Sequence, residues 1–548
     1  MDIAEEYSRW VKLAQDSRVQ RQLAEMADSP EAIQDGFYKP LAFGTGGLRG
    51  VLGAGTNRMN VYTVTKATLG LADYLNAQRS GSGVVIGYDS RNQSREFAET
   101  AAAVFSAMGI RVHLYPQLTP VPTVSFGVRR LGADAGVMIT ASHNPAKYNG
   151  YKVYGADGCQ ITTQAAAEIL AAMEKRDYFE PLPLAKAPIE PVAPEILTEF
   201  LNQVKSQSVL FGDSCKRDLK IVYTPLCGAG LVPVTRILRE SGFRNVTVVP
   251  EQEKPNGDFP TCPYPNPEIR EAMELGIQTC RQSGADLLLA TDPDCDRVGI
   301  ALRERTGEFR LLTGNEVGVL LLDYICSQRL HHGEMPPKPV FVKTIVTTDM
   351  AEQVAAHYGV ETRNVLTGFK FIGEQIGLLE KQGRQEDFLL GFEESYGYLA
   401  GSYVRDKDGV FGAYMICEMA GFYAAQGIRL EEKLEALYKT YGFRINTLHS
   451  YTFEGAAGFR HMEALMAKFR GSFPIPFETC LDYAQGLDGL PKSDVLKFFL
   501  KDGAAAVIRP SGTEPKLKLY LSVVGQDRAQ AENEAENLKN LLEKEILG

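Results

Sequence analysis

Three times along the chain a short apolar run gives way to a longer amphipathic segment, a glycine and a second apolar run. Val84-Val85-Ile86-Gly87-Tyr88 predicts a strand, Phe97 to Met108 a helix and, after Gly109, Arg111 to Tyr115 a second strand. The alternation returns in Lys220 to Tyr223, Leu231 to Leu238, Gly242 and Val246 to Val249. It returns again in Val340 to Lys343, Met350 to His357, Gly359 and a strand near Val365. Strands alternating with helical patterns predict βαβ units with largely parallel pairing. Each unit has a third strand that ends in a chemically loaded loop. These are LGADAGVMITASHNP, ending at Ser142; SGADLLLATDPDCD, ending in Asp292, Asp294 and Asp296; and QEDFLLGFEESYG, ending in Glu393, Glu394 and Ser395.

The segments outside these units read differently. From Ile3 to Met26, Trp10, Leu13, Leu23 and Met26 are spaced among charges, which predicts surface helices packed on the first domain. Pro181 to Pro194, rich in Pro and Ala, predicts a stiff linker. Further boundaries are expected near Thr306-Gly307 and near Tyr441-Gly442-Phe443. The last segment, with a strand from Leu517 to Val523 and a charged C-terminal helix, predicts a smaller α+β domain. The expected domains are 1–200, 201–305, 306–443 and 444–548. The first three are related mixed α/β domains, carrying in turn the serine loop, the aspartate loop and the Glu393–Ser395 loop.

The bulk numbers exclude some functions. With 44% hydrophobic and 23% charged residues over 548 positions, the composition is that of a globular protein. No apolar stretch is long enough to span a bilayer, and the acidic start at Met1-Asp2-Ile3 does not resemble a signal peptide. Nine dispersed cysteines without a C-x-x-C pair point to reduced thiols and a cytoplasmic setting. A net charge of −10 argues against nucleic acid as a partner. It leaves room for an anionic small molecule in a locally basic cleft.

The candidate chemistry concentrates in the loops. Ser142 ends an apolar run, where open α/β sheets place their ligands. His143, Lys147 and Lys152 surround it with potential positive charge, which suits a serine that carries phosphate. A plain strand-to-turn junction closed by Asn144-Pro145 fits the same residues. Asp292, Asp294 and Asp296 alternate, so an extended backbone would put all three on one side. Crowded hard carboxylates suit Mg²⁺. An EF-hand is excluded, because its last ligand position would fall on Arg303. Arg297 follows directly and could face a phosphate. In Phe43-Gly44-Thr45-Gly46-Gly47-Leu48-Arg49-Gly50, glycine amides are expected to cradle phosphate and Arg49 to grip it. Glu393 and Ser395 offer acceptors and a hydroxyl for sugar hydroxyls. Lys407 and Asp408 could supply a proton donor or acceptor. Arg509, Ser511, Gly512 and Thr513 suit a held phosphate.

Five motifs in this order resemble the α-D-phosphohexomutase superfamily, especially its phosphoglucomutase and phosphomannomutase members. They are GTGGLRG ending at Gly50, TASHNP around Ser142, DPDCDR at Asp292 to Arg297, GFEESYG at Gly391 to Gly397 and RPSGTEPK at Arg509 to Lys516. The resemblance covers the chain from about residue 40 to its end. It implies four domains around a central cleft and a phosphoserine at Ser142. Asp292, Asp294 and Asp296 would hold Mg²⁺ with the Ser142 phosphate, while Arg49, His143, Lys152 and Arg297 line the transfer site. Glu393 and Ser395 would grip the sugar, with Thr367, Gly368 and Lys407 nearby, and Arg509, Ser511, Gly512 and Thr513 would hold the non-reacting phosphate. Pro293 and Cys295 depart from the glycines of many members, and EESYG leans towards glucose.

The implied activity interconverts hexose 1-phosphate and hexose 6-phosphate through a 1,6-bisphosphate, with glucose 1,6-bisphosphate as activator. Lys152 or Lys407 would act as general acid or base if the cleft lowered its pKa. Mannose or pentose phosphates, a phosphatase using the same serine, and a non-catalytic phosphosugar-binding protein are the competing readings. A hinge near Tyr441 to Asn446 is expected to let the fourth domain close.

Overall fold

The computed structural model describes residues 2–44, 46–78, 83–184, 186–453, 455–487, 489–510 and 516–548. The first sheet contains β1 (Phe43–Gly44), β2 (Gly47–Val51), β3 (Gly83–Tyr88), β4 (Arg111–Leu114), β5 (Ala135–Ile139), β6 (Tyr148–Gly155) and β7 (Ile189–Pro191), in the order β1-β2-β6-β5-β3-β4-β7. The second contains β8 (Ile221–Thr224), β9 (Val246–Val248), β10 (Leu287–Thr291), β11 (Val298–Arg303) and β12 (Phe309–Leu312), in the order β12-β11-β10-β8-β9. The third contains β13 (Val340–Thr344), β14 (Glu361–Val365), β15 (Phe388–Glu393) and β16 (Gly397–Leu399), in the order β14-β13-β15-β16.

One arrangement therefore recurs three times. Three strands pair in parallel, and the third is followed by an antiparallel return strand: β5 by β6, β10 by β11, β15 by β16. The sequence patterning gives the parallel strands but not the returns. Strands β5, β10, β13 and β15 are buried along their whole length, as strands covered on both faces by helices must be. The three loaded loops occupy the same place in each repeat, between the third parallel strand and its return.

The fourth sheet is antiparallel throughout: β17 (Phe443–Thr452), β18 (Phe477–Asp482), β19 (Leu496–Leu500), β20 (Ala505–Pro510) and β21 (Lys516–Gly525), in the order β17-β21-β20-β19-β18. The helix Arg528–Leu547 packs over it. One hydrophobic core runs through the first three domains, and the fourth has its own.

Several boundary expectations change. The Pro- and Ala-rich stretch is not only a linker, because Ile189–Pro191 pairs in parallel with β4 as the sheet's last strand. Thr306-Gly307 is the turn of the β11–β12 hairpin, so the second sheet continues to Leu312. Phe443 to Asn446 are already paired with β21, which leaves Gly442, at φ 91°, between the helix Leu430–Tyr441 and β17. At the N-terminus, the helices Ile3–Leu13, Ser17–Glu25 and Pro30–Phe37 bury Trp10 among Phe37, Tyr62, Tyr178 and Phe179. Leu23 is buried too, but Leu13 is exposed. Among the described residues, no helix is long and apolar enough to cross a membrane.

Candidate active site

The three equivalent loops and β20 of the fourth sheet converge on a cleft of about 640 Å³. Its lining includes Arg49, Ser142, His143, Lys152, Asp296, Arg297, Thr367, Gly368, Glu393, Ser395, Lys407 and Arg509. Ser511, Gly512 and Thr513 lie outside the described residues.

Ser142 has φ 53°, a left-handed conformation that non-glycine residues seldom adopt, so the loop must be held from outside. The holding group is Arg91, which the sequence reading missed. Its guanidinium is buried against Asp89 and donates to the carbonyls of Ser142 (2.5 Å), Pro145 (3.0 Å), Tyr148 (3.1 Å) and Asn144. Asp89 is itself held by the hydroxyls of Ser94 (2.7 Å) and Thr140 (2.6 Å), and Thr140 Oγ1 accepts from the Ser142 N–H at 2.8 Å. The available signal was the position of Asp89 and Arg91 just past the end of β3, where α/β sheets collect functional groups.

Ser142 Oγ donates to Asp292 Oδ2 at 2.9 Å and lies 3.2 Å from His143 Nδ1. Burial, reinforced by Arg297 and Arg49, holds His143 well below the ordinary histidine pKa and therefore neutral. Arg49 does not come from a loop, as the glycine-rich sequence suggested. Gly47–Val51 is strand β2, with Arg49 opposite Gly150 of β6, so these amides belong to a ladder. The Arg49 side chain donates to Asn144 Oδ1 at 3.4 Å. Thr45 lies outside the described residues, and Lys147 is exposed and does not line the cleft.

Asp292, Asp294 and Asp296 offer carboxylate oxygens within 4.8 Å of one another, all buried. They do not converge by strand alternation. The segment after β10 turns sharply, with Cys295 at φ 51° and Asp292 Oδ1 accepting from the N–H groups of Asp296 and Arg297, both at 3.1 Å. Burial and the neighbouring carboxylates push the Asp292 carboxyl well above its usual range. Burial would raise Asp296 too, but Lys407, Lys152 and Arg297 overcome it and hold the group below the usual range. Asp294 Oδ1 and Asp296 Oδ1 are buried without a hydrogen-bond partner. Buried carboxylate oxygens left open in this way, in a set of three hard donors, fit a divalent cation such as Mg²⁺.

Lys152 Nζ lies 2.9 Å from Asp294 and 3.2 Å from Asp296, and Lys407 Nζ lies 3.0 Å from Asp296. Burial opposes both charges, yet the aspartates outweigh it and raise both lysines. The expectation that the cleft lowers a lysine pKa is thus reversed, and the two groups stand as cations. Asp408 does not offer its carboxylate to the cleft. It accepts from Val410 N (2.8 Å) and Phe411 N (3.1 Å), capping the helix Gly409–Ala425, and so fixes the start from which Lys407 projects.

Glu393 Oε1 accepts from Gly368 N at 3.0 Å, and burial pushes Glu393 up to about 7. Thr367 Oγ1 is buried without a partner on the same wall. The cleft also contains Glu268, Asn315, Lys497 and Lys518, which no sequence motif singled out. Glu268 accepts from Arg297 Nη1 at 3.4 Å.

Comparison with known proteins finds relatives along almost the whole chain. Four models of the phosphoglucomutase/phosphomannomutase family match in succession: alpha/beta/alpha domain I over residues 40–180, domain II over 198–307, domain III over 313–441 and the C-terminal domain over 456–540. The phosphoglucomutase of Staphylococcus aureus (strain USA300) is 37% identical over 539 residues, covering 94% of this chain and 95% of that protein. Among solved structures, a phosphoglucomutase/phosphomannomutase family protein from Burkholderia thailandensis superposes with a TM-score of 0.68 at 18% identity, covering 92% of this chain and 98% of that one. The open form of parafusin, a phosphoglucomutase from Paramecium, gives 0.69 at 16% identity over 92% of this chain and 95% of that one.

Proposed function

The chain belongs to the phosphoglucomutase/phosphomannomutase family, and from that premise we propose that it interconverts glucose 1-phosphate and glucose 6-phosphate through a phosphoserine at Ser142. That it is an enzyme acting as a hexose-phosphate mutase follows from the family; the sugar and the residue roles are our reading. The observation that carries it is Ser142 Oγ, 2.9 Å from the first of three clustered aspartates. A serine in that position is suited to hold a phosphoryl group next to a divalent cation.

In this reading Asp292, Asp294 and Asp296 hold Mg²⁺, which when bound neutralises charge on the transferring phosphoryl group. Arg297, Lys152 and Lys407 add fixed positive charge on the same side. Neutral His143 exchanges a hydrogen bond with Ser142 Oγ as that oxygen gains and loses phosphate. Glu393, Ser395 and Thr367 receive the sugar hydroxyls. Arg509 grips the phosphate that is not reacting; the motif would add Ser511, Gly512 and Thr513, which lie outside the described residues. The substrate hydroxyl bonds to phosphorus as the Ser142 Oγ–P bond breaks, its proton ending on Ser142 Oγ; the glucose 1,6-bisphosphate so formed reorients and returns its other phosphate to Ser142, the proton going back to the freed sugar oxygen. Both phosphates then visit the Arg509 clamp, so the fourth domain must open and close, and Gly442 is the pivot we assign. Nine free thiols support a cytoplasmic setting.

The test joins two measurements. Intact-mass and peptide analysis should find one acid-stable phosphate on Ser142, and a turnover panel of glucose, mannose, glucosamine and ribose phosphates should favour glucose. Ser142→Ala should lose the phosphate and about 10⁴-fold or more of the rate. Near-wild-type turnover in that variant, with bisphosphate supplied, sinks the phosphoserine; a pentose preference sinks the sugar assignment.

A further inference from the structure

Behind the cleft, between the third and fourth domains, lies a second chamber of about 600 Å³, close to the cleft's about 640 Å³. The two share only part of their walls: Ile345, Asp349 and Lys497 line both. Arg363, Asn364 and Gln375 reach the chamber from the third domain, and Arg444 and Lys497 from the fourth.

Arg444 stands in the wall of this chamber. It is 8% exposed, and Nη1 donates to the Gly503 carbonyl and to Ser522 Oγ, both at 3.2 Å. Its Nε is buried without a hydrogen-bond partner. The nearby acids are already engaged. Asp349 lies 3.1 Å from both Lys343 and Lys497, Glu352 lies 3.0 Å from Lys343 and accepts from Asn364 at 3.1 Å, and Glu361 accepts from Arg363 Nε at 2.7 Å. Of the charged side chains that line the chamber, Arg363, Arg444 and Lys497 face two carboxylates, Asp349 and Glu352. An unpartnered guanidinium donor in the wall of a polar chamber of ligand size, with surplus positive charge around it, suits an anion.

We propose that this chamber is a second binding site, taking a phosphorylated metabolite of about hexose-phosphate size. Its phosphate is held by the Nη2 groups of Arg444 and Arg363, the ends not spent on Gly503, Ser522, Glu361 and Gln375. With Asn364 Nδ2 bonded to Glu352 and Gln375 Oε1 to Arg363, Asn364 Oδ1 and the Gln375 NH₂ group supply an acceptor and donors for hydroxyls. A ligand there bridges two domains that Lys497 and Asp349 already join, so its binding is linked to how those domains sit over the cleft.

Inorganic phosphate is the first probe. Titration calorimetry on Arg509→Ala, in which the cleft has lost its clamp, should still detect one phosphate per chain. Adding Arg363→Gln, at a partly exposed strand position that leaves the fold intact, should weaken that binding about tenfold or more. No phosphate bound by the first protein, or equal affinity in both, overturns the proposal. Crystals of the wild-type protein soaked in tungstate, a heavy phosphate analogue, should show density against Arg363 and Arg444; tungstate confined to the cleft overturns it.

Discussion

The loop Asp292–Arg297 and the strand end at Arg509 face the same cleft, yet they are held in different ways. The aspartate loop is gripped from three directions. Val121 N of the first domain donates to Asp294 O (2.9 Å), Ala229 N of the second to Pro293 O (2.8 Å) and Gly409 N of the third to Cys295 O (3.1 Å). The Ser142 loop is pinned from behind by Arg91. The fourth domain meets the others through a small apolar patch, in which Ile345, Val346 and Leu366 face Tyr483, Val495, Val507 and Tyr520. Lys497 adds bonds to Asp349 and to the Ile345 carbonyl. Phosphoryl transfer depends on fixed positions, because small displacements of the reacting groups cost rate steeply. A clamp that must release and regrip a phosphate needs the opposite. On the proposed reading, this difference separates phosphoryl transfer, held in the first three domains, from the grip on the non-reacting phosphate, in the fourth.

The sharpest way to break this division is at its anchor. Arg91→Met leaves Asp89 buried and unpaired and frees the carbonyls of the Ser142 loop. Breaking a buried pair in this way should cost about 3–5 kcal/mol, read as a lower urea midpoint, together with a fall in kcat. A loss under about 1 kcal/mol would mean the serine loop is held by something else. Asp294→Asn comes next. It keeps the shape but removes one charge from the set, and kcat should fall about 10²-fold while KM moves little. Activity that neither this variant nor a chelator reduces would remove the metal from the reading. Arg509→Ala should do the reverse, raising KM about tenfold or more in both directions, with kcat less affected and Ser142 still phosphorylated. A KM that rises in one direction only would sink the shared clamp and leave the rest standing.

The same contrast governs what the sequence made legible. Alternating strands and helices are local patterns, and they revealed the three repeats and the loops at their ends. Motifs carried Ser142, Arg49 and the aspartates into one site. What remained hidden depends on contacts far apart in the chain. Arg91 reads as one more charged residue until the fold brings it under a loop more than fifty positions later. The direction of the lysine shifts stayed hidden for the same reason, since Lys152 and Lys407 meet Asp296 only when three domains assemble. Local geometry also misled: alternation suggested an extended aspartate run where a tight turn does the work, and glycines suggested a loop where Gly47–Val51 is a strand. Lys497, Glu268 and the chamber around Arg444 belong to domain junctions, which no single segment encodes.

The smallest predicted effect lies where the fixed and moving regions face each other, at Glu393. Glu393 is 4% exposed, and burial, which disfavours its charge, pushes its carboxyl up to about 7. The folded pKa lies above the ordinary glutamate value of about 4.3, so the folded state holds this proton more tightly than the unfolded state does. The cost to stability is absent below that ordinary value, grows as pH rises towards 7 and is complete above it. Glu393→Gln should therefore melt with the wild type near pH 4 and hotter at pH 8, a gain of a few kcal/mol at most. The activity should move the other way. A carboxylate accepts two hydroxyl hydrogen bonds where an amide oxygen and NH₂ group cannot both do so. Wild-type KM should then improve as pH rises through 7, and the variant's should be higher and lack that inflection. An inflection retained in Glu393→Gln would assign the titration to another group in the cleft and leave Glu393 with a structural part alone.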